Sequence, residues 1–563
     1  MNIARRLVET ARKMPDAVAV AQPIKNGEYR TTTFRQLDAD SDRIACALLE
    51  SGVRPGMRLA LLVRYGIDFI ALVFALYKAG AVLVLIDPGM GLRQMLNCLA
   101  EVEPDGFVAI PPVHAVRVLS RRFPKAKYNL TAGRRWFWGG LSLDVIKRSV
   151  NDEPRRHEDH EEKQENPQKT SCSSCLRGEN YCAETQPNDL AAIIFTSGST
   201  GPAKGVAFTH RGFDTQVTEI QRRYDIQPGE VDLACFPFFG LFNAAMGVTT
   251  IIPDMNPTKP ALVDPKKIID AANRWKITQS FASPALWNRV ADYCLETGRR
   301  FETLKRAVSA GAPISFALLD KLKRCLPEDA DIHTPYGATE ALPVASISAT
   351  EVLGETAKTT KHGGGVCVGK RFGRIEWKVI AITDDPILRL EDALELSTGE
   401  IGELVVHGPQ VTERYVTRLE ANALAKMVDA NGGIWHRMGD VGYLDDTDRF
   451  WICGRKAHRV ETPTETFFSI PCEAIFNRHP KVFRSALVGV PEPMILVEPF
   501  AQHYPKTVTE KEKLLAELRE LAKTSPLTEK IDRFDVYRNF PVDVRHNVKI
   551  NREEIRAAIV RLR

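Results

Sequence analysis

Short β-prone apolar runs alternate with helix-like segments along this chain: Arg58 to Val63, Val82 to Ile86, Gly106 to Ile110, Ala191 to Phe195 and Thr278 to Ala282. Buried strands separated by helical crossovers are the mark of an α/β protein with largely parallel sheets. At 563 residues the chain is too long for one core, so two or more domains are expected. Its 44% apolar and 26% charged content is ordinary for a water-soluble protein. The longest apolar run, Phe69 to Ile86, is interrupted by Lys78 and Gly80. It reads as a buried helix ending near Ala79 and then a strand, so no transmembrane segment is expected.

The net charge of +5, spread over the whole chain, is too dilute to call for nucleic acid or a membrane surface. Met1-Asn-Ile-Ala-Arg-Arg lacks the apolar core of a signal peptide and reads as the start of an amphipathic helix. Eleven cysteines, several isolated in apolar runs (Cys46, Cys98, Cys235, Cys453), suggest reduced thiols and a cytoplasmic location.

Two boundaries stand out. Residues 151–188 are polar, charge-dense and without helical period, which suggests a mobile insertion or linker. Within it Cys172, Cys175 and Cys182, with His157 and His160 upstream, offer a zinc reading beside that of a disordered loop. The second boundary falls near Gly454-Arg455, after the β-type runs Gly402 to Val406, Gly442 to Leu444 and Phe450 to Cys453. About a hundred residues follow it, with their own strand (Ser485 to Val490) and helix (Lys511 to Ala522), as in a small C-terminal domain hinged there.

Chemistry enters with Thr196-Ser197-Gly198-Ser199-Thr200-Gly201-Pro202-Ala203-Lys204-Gly205. Its glycines let the backbone approach an anion closely, its hydroxyls and N–H groups donate to phosphate oxygens, and Lys204 adds a point charge. A Walker A loop is excluded, because a glycine rather than Ser or Thr follows the lysine and the flanks read strand–loop–strand. Four more segments suit a nucleotide enzyme. Ser309-Ala-Gly-Ala-Pro313 is a small-residue turn on which a base could lie. Tyr336-Gly-Ala-Thr-Glu340 joins an aromatic ring, a hydroxyl for phosphate and a carboxylate for Mg²⁺. Asp440, in His436-Arg-Met-Gly-Asp440, is suited to ribose hydroxyls, and Lys549 lies near the C-terminus before a basic helix. Singly, each also reads as a turn, a cap, a loop aspartate or a solvated lysine.

Taken in order, with Gly402-Glu-Leu-Val-Val-His-Gly-Pro409 and Gly454-Arg455, these segments resemble the adenylate-forming superfamily over roughly residues 15 to 555. That resemblance implies a large N-terminal AMP-binding domain, 1–454, of stacked αβ sheets and a distorted β-barrel, with a hinged α+β lid at 455–563. It also implies that Thr196, Ser197, Gly198, Ser199, Thr200, Gly201 and Lys204 bind the β- and γ-phosphates of ATP. Gly311, Ala312, Pro313, Tyr336 and Gly337 would frame the adenine, and Thr339 would touch the α-phosphate. Glu340 would hold Mg²⁺, Asp440 and Arg455 the ribose. Lys549 would bridge carboxylate and α-phosphate during adenylation, since two anions must meet there.

The acceptor of the acyl group is a separate question. Gly240 ends Phe236-Pro-Phe-Phe-Gly240 where many CoA ligases carry an aromatic gate, and Ala457 stands where their hinge has Asp or Lys. Arg459-Val-Glu-Thr-Pro-Thr-Glu465 replaces their glycine-bearing pantetheine loop, and no carrier-protein domain is expected after residue 563. Phe236 to Asn243, Ile252 to Pro260, Thr334 to Glu340, His436 to Tyr443 and Phe540 to Asn547 resemble the OleC family, the β-lactone synthetases of bacterial long-chain olefin biosynthesis. This implies a 2-alkyl-3-hydroxy fatty acid as substrate, ring closure by its own hydroxyl, and assembly with other olefin-pathway enzymes. A long-chain acyl-CoA ligase and a non-catalytic adenylate-binding scaffold are the alternatives. His333, His436 and His546 are candidates for the base that takes the hydroxyl proton.

Overall fold

The computed structural model describes residues 1–148, 182–196, 202–542 and 550–561. Its contacts divide the chain into two units, Met1–Asp254 with Arg414–Leu419, and Met255–Glu413 with Glu420–Arg563.

The first unit carries a seven-stranded sheet ordered Leu141–Ser142, Tyr128–Thr131, Gly106–Ala109, Arg58–Leu62, Val82–Leu85, Leu190–Phe195 and Gly205–Thr209. Its pairings are parallel except the last, where the chain doubles back on itself. The apolar run read as a helix and a strand is one: Ile67–Lys78 is helical, Val82–Leu85 extended. Lys78 is fully buried and survives there because Asp38 and Asp42 each accept from its ammonium at 2.6 Å. Burial works against this charge cluster, and the Asp42 carboxyl is pushed up to about 6 despite Lys78. No helix among the described residues is long and apolar enough to cross a membrane.

The N-terminal helix forms as expected, at Arg5–Lys13. Residues 182–188 depart from the mobile insertion read there. The Ala183 amide donates to the Lys78 carbonyl at 2.8 Å, Asn2 donates to the Ala183 carbonyl at 3.2 Å, and the Thr185 hydroxyl donates to the Met1 carbonyl. An apolar Ala183 and these three hydrogen bonds outweigh the polar composition of this stretch. The insertion's remaining residues, with His157, His160, Cys172 and Cys175, lie outside the described ones. Cys182 is a free, half-buried thiol whose pKa burial pushes up to about 11, and no metal-binding cluster occurs among the described residues. Cys98, Cys182, Cys235, Cys294, Cys325, Cys367, Cys453 and Cys472 are free thiols, in keeping with the reduced-thiol reading at those positions.

In the second unit the strands Gln279–Ala282, Arg306–Ser309 and Asp331–Ala338 run parallel. From Asp331–Ala338 onward the order is Ala341–Ser348, Val366–Arg371, Arg449–Arg455, Ile434–Leu444, Gly402–His407 and Glu376–Ile380, every pairing antiparallel. The expectation of largely parallel sheets therefore fails for this half. Two of these pairings, Asp331–Ala338 with Ala341–Ser348 and Ile434–Leu444 with Arg449–Arg455, close through short turns, which antiparallel pairing allows and parallel crossover does not. After Arg455, Val482–Val490, Glu492–Pro499 and Arg533–Val536 form a three-stranded sheet. Helices Ser469–Phe476 and Val508–Ala522 close an apolar core containing Phe476, Leu487, Ile495 and Leu518.

Candidate active site

The first unit holds the neck of the glycine-rich loop. Leu190–Phe195 and Gly205–Thr209 pair antiparallel, so the loop's two ends are brought together by the sheet. The Thr196 amide donates to the Lys204 carbonyl, and the Lys204 amide donates to Thr196 Oγ1, both at 3.0 Å. Ser197, Gly198, Ser199, Thr200 and Gly201 lie outside the described residues. The segment 414–419 braces the neck: Val416 N donates to the Gly205 carbonyl, and Gly205 N to Thr417 Oγ1, each at 2.8 Å. Tyr415, also buried, carries the Lys204 ammonium 4.7 Å over its ring centroid. A cation–π contact of this kind holds the charge near the neck without neutralising it.

The second unit gathers most of the other expected residues at one sheet end. The register Val308↔His333 sets the turn after Ser309, with Gly311, Ala312 and Pro313, alongside the Tyr336 end of the neighbouring parallel strand. Carboxyl ends of parallel strands are where open α/β sheets bind ligands. Ser309 Oγ is buried there without a hydrogen-bond partner.

Tyr336 does more than offer a ring. Its hydroxyl donates to Asp440 Oδ2 at 2.6 Å, while Arg455 lies 3.1 Å from Asp440 Oδ1 and donates to the Met438 carbonyl at 3.0 Å. Asp440 and Arg455 face each other in register on adjacent strands, so the pair is set by the ladder. The dull reading of Asp440 as a loop aspartate is thereby corrected: it sits inside Ile434–Leu444, directly after Gly439, whose φ of +65° suits glycine. Burial, and then the Asp440 charge, push the Tyr336 phenol well above its ordinary pKa. The phenol therefore stays a donor, and this partnership went unread because 104 residues separate the two side chains.

Thr339 and Glu340 form the tight turn into Ala341–Ser348. Gly337 is required by that turn, since a Cβ would stand 2.6 Å from the Ala341 carbonyl oxygen. The Glu340 carbonyl accepts from Thr412 N at 2.8 Å and Thr412 Oγ1 at 2.9 Å, and the buried Lys426 ammonium donates to the Thr412 carbonyl. Neither Thr412 nor Lys426 was singled out by motif; both lie downstream of the 402–409 segment. Lys549 and His546 lie outside the described residues. His436, one of the candidate bases, is buried with Nδ1 bonded to the Ala425 carbonyl at 3.0 Å, as a structural histidine would be.

Two of the departures from CoA-ligase pattern have structural partners. Gly240 lies in helix Pro237–Met246 where any Cβ would collide with the Tyr65 hydroxyl. Arg459 is held by Asp384 at 2.6 Å and Glu461 at 2.9 Å, next to a single helical turn, Lys456–His458, that contains Ala457.

The fold is that of the adenylate-forming enzymes. It superposes on the amide bond synthetase McbA of Marinactinospora thermotolerans with a TM-score of 0.75 at 20% identity, covering 99% of each chain. O-succinylbenzoate coenzyme A synthetase from Bacillus subtilis, solved with ATP and magnesium ion, gives 0.70 at 20%, covering 98% of each. Sequence goes further: the chain belongs to the AMP-binding enzyme family, whose profile matches residues 7–416. It is 41% identical to the olefin beta-lactone synthetase of Xanthomonas campestris pv. campestris, over 98% of this chain and 96% of that protein.

Proposed function

We infer that this chain is an ATP-dependent β-lactone synthetase. It adenylates the carboxylate of a 2-alkyl-3-hydroxyalkanoic acid, and the substrate's own 3-hydroxyl then attacks the acyl carbon, releasing AMP and leaving the lactone; pyrophosphate departs in the first step. The near-full-length identity to the Xanthomonas enzyme carries this reading. A cytoplasmic location, a place beside other olefin-pathway enzymes, and a lid hinged at Gly454-Arg455 belong to the same proposal.

The residues present fit a nucleotide. The orphaned, buried Ser309 hydroxyl lacks only a polar ligand or water beside the 310–313 turn. Asp440 receives Tyr336 and Arg455, and its carboxylate has acceptor capacity left for two ribose hydroxyls. Thr196 and Lys204, drawn together at the loop neck, would face phosphate. Glu340 offers the hard oxygen donor that Mg²⁺ prefers, the ion would offset phosphate charge there, and Thr339 would touch the α-phosphate. Gly311, Ala312, Pro313 and Tyr336 would frame the base, and Lys549 would bring its cation to the meeting of carboxylate and α-phosphate.

For the acceptor, an internal hydroxyl removes the entropy cost of a second substrate, although a four-membered ring is strained. The Tyr65 hydroxyl blocks any side chain at position 240, and the Arg459 ion pairs occupy the loop after the hinge, both in keeping with an enzyme that serves no CoA. Purified protein with ATP, Mg²⁺ and a synthetic 2-alkyl-3-hydroxy acid, without CoA, should yield β-lactone by NMR. A thioester formed only on adding CoA would instead make the chain a long-chain acyl-CoA ligase.

A further inference from the structure

The chain's positive charge is not evenly spread. Residues 111–140 hold seven Lys and Arg (Arg117, Arg121, Arg122, Lys125, Lys127, Arg134, Arg135) and no Asp or Glu, a local +7 against +5 for the whole protein. Everything outside this stretch therefore sums to −2 (5 − 7). Lys125 is paired with Glu103, at 2.8 Å. Arg121, Arg122, Lys127, Arg134 and Arg135 are exposed, and none pairs with a carboxylate among the described residues.

Large apolar side chains are exposed within the same stretch. Trp136 is 53% and Phe137 69% exposed, and on helix Pro111–Ser120 Val118 is 36% and Leu119 76% exposed. This presentation is built rather than frayed. Trp138 is buried, stacked 5.4 Å from His114 of that helix, and donates its indole N–H to Thr131 Oγ1 at 2.9 Å. Trp136 and Phe137 pack their rings against Trp138 at 5.4 and 5.1 Å, which holds both at the surface beside Arg134 and Arg135. Beneath the helix an apolar cavity of about 130 Å³ is lined by Leu92, Leu96, Pro112 and Val116 among others, and Leu92 is itself 56% exposed. Aromatic rings held at the surface, an exposed Leu119 and cations without a carboxylate partner among the described residues together match the demands of a headgroup–acyl boundary.

We propose that residues 111–140 form a docking surface for an anionic lipid bilayer, with Trp136, Phe137 and Leu119 entering the interface and the arginines meeting acidic headgroups. Exposed Trp136 and Phe137 beside arginines with no carboxylate partner among the described residues suit an anionic headgroup–acyl boundary, which takes aromatic rings and cations together. The surface is independent of the ATP site residues, and the inference stands whether or not the lactone reading does.

The test uses the full chain and sedimented vesicles of phosphatidylcholine alone or mixed with phosphatidylglycerol. Wild type should bind the mixed vesicles, bind neutral ones far less, and be released by salt. Trp136→Ser with Phe137→Ser, and separately Arg134→Glu with Arg135→Glu, should each weaken binding by at least about tenfold at unchanged melting temperature and unchanged pyrophosphate exchange. Absence of wild-type binding to either vesicle would overturn the proposal, as would binding that the aromatic double variant leaves intact. A wild-type dimer in analytical ultracentrifugation that the aromatic variant disperses would assign the patch to a second copy of this chain, and would also overturn it.

Discussion

Arg437 and Asp440 lie three residues apart on one strand, and each belongs to an ion pair, yet the two pairs are built for different ends. Arg437 and Glu403 are both about 1% exposed. Arg437 donates to Glu403 Oε2 at 2.6 Å and to the carbonyls of Asp385 and Thr383 at 2.8 and 2.6 Å, and Lys456 adds a further donor to the same Glu403 oxygen at 3.1 Å. Those cations spend their donors inside the protein. Asp440 and Arg455 are more open, at 12% and 36%, and Asp440 accepts one hydrogen bond from Tyr336 and one charged contact from Arg455. A buried pair whose donors are used up is architecture; one with acceptor capacity left over can take a ligand, as proposed for Asp440.

The largest expected effects come from removing each carboxylate. Glu403→Ala leaves the buried Arg437 and the partly buried Lys456 uncompensated and should cost about 3–5 kcal/mol of stability, read by denaturant unfolding, while any folded fraction still exchanges pyrophosphate. Asp440→Ala should behave in reverse. On the ribose role proposed for Asp440, losing charge-assisted bonds to two hydroxyls, at about 1.5–3 kcal/mol each, lowers ATP–pyrophosphate exchange roughly a hundredfold or more, with a smaller stability loss than Glu403→Ala, from the Tyr336 hydroxyl and Arg455 left without this acceptor. If Asp440→Ala unfolds the protein and Glu403→Ala spares it, the contrast collapses.

A smaller change is expected from Gly337→Ala, which sets a methyl group against the Ala341 carbonyl and forces the Thr339–Glu340 turn to shift. It should cost about 1–3 kcal/mol of stability and reduce pyrophosphate exchange more than its stability loss explains. Tyr336→Phe is milder. It frees Asp440 from one donor but leaves Arg455 in place, so KM for ATP should rise several-fold in steady-state assays with kcat nearly unchanged.

The smallest effect concerns acid. Asp445 follows the same strand; burial acts to raise its pKa, but hydrogen bonds from Trp451, Thr447 and Arg449 more than compensate and hold it well below the usual carboxylate range. A depressed carboxylate contributes stability above its unfolded value near about 3.9 and loses it as pH falls toward the folded pKa. Thermal melts of Asp445→Asn should therefore differ from wild type at neutral pH, with the gap narrowing as pH falls below about 3.9 and closing only near the depressed folded pKa.

Much of this architecture was legible in the chain. Apolar runs located Leu190–Phe195 and Val82–Leu85 because buried parallel strands leave few other choices of residue. Lys78 marked the end of a buried helix, though its two aspartates lie a helix away and carried no pattern. The antiparallel half was harder: strands such as Glu376–Ile380 and Gly402–His407 are short, and pairing direction depends on turns, not on composition. Motif order picked out Asp440, Arg455 and Tyr336 separately, but not the hydrogen bond joining phenol to carboxylate. Whole-chain charge, likewise, concealed the cationic stretch at 111–140, since an average cannot report where charge collects.

The central claim is that the carboxylate is activated and the hydroxyl is the nucleophile. Substrate labelled with heavy oxygen in both carboxylate positions, turned over with unlabelled ATP, separates the routes by mass spectrometry. One label should appear in AMP and one in the lactone carbonyl, with the ring oxygen unlabelled. Unlabelled AMP with both labels retained in the lactone would mean that the hydroxyl had been activated instead, and would contradict the mechanism.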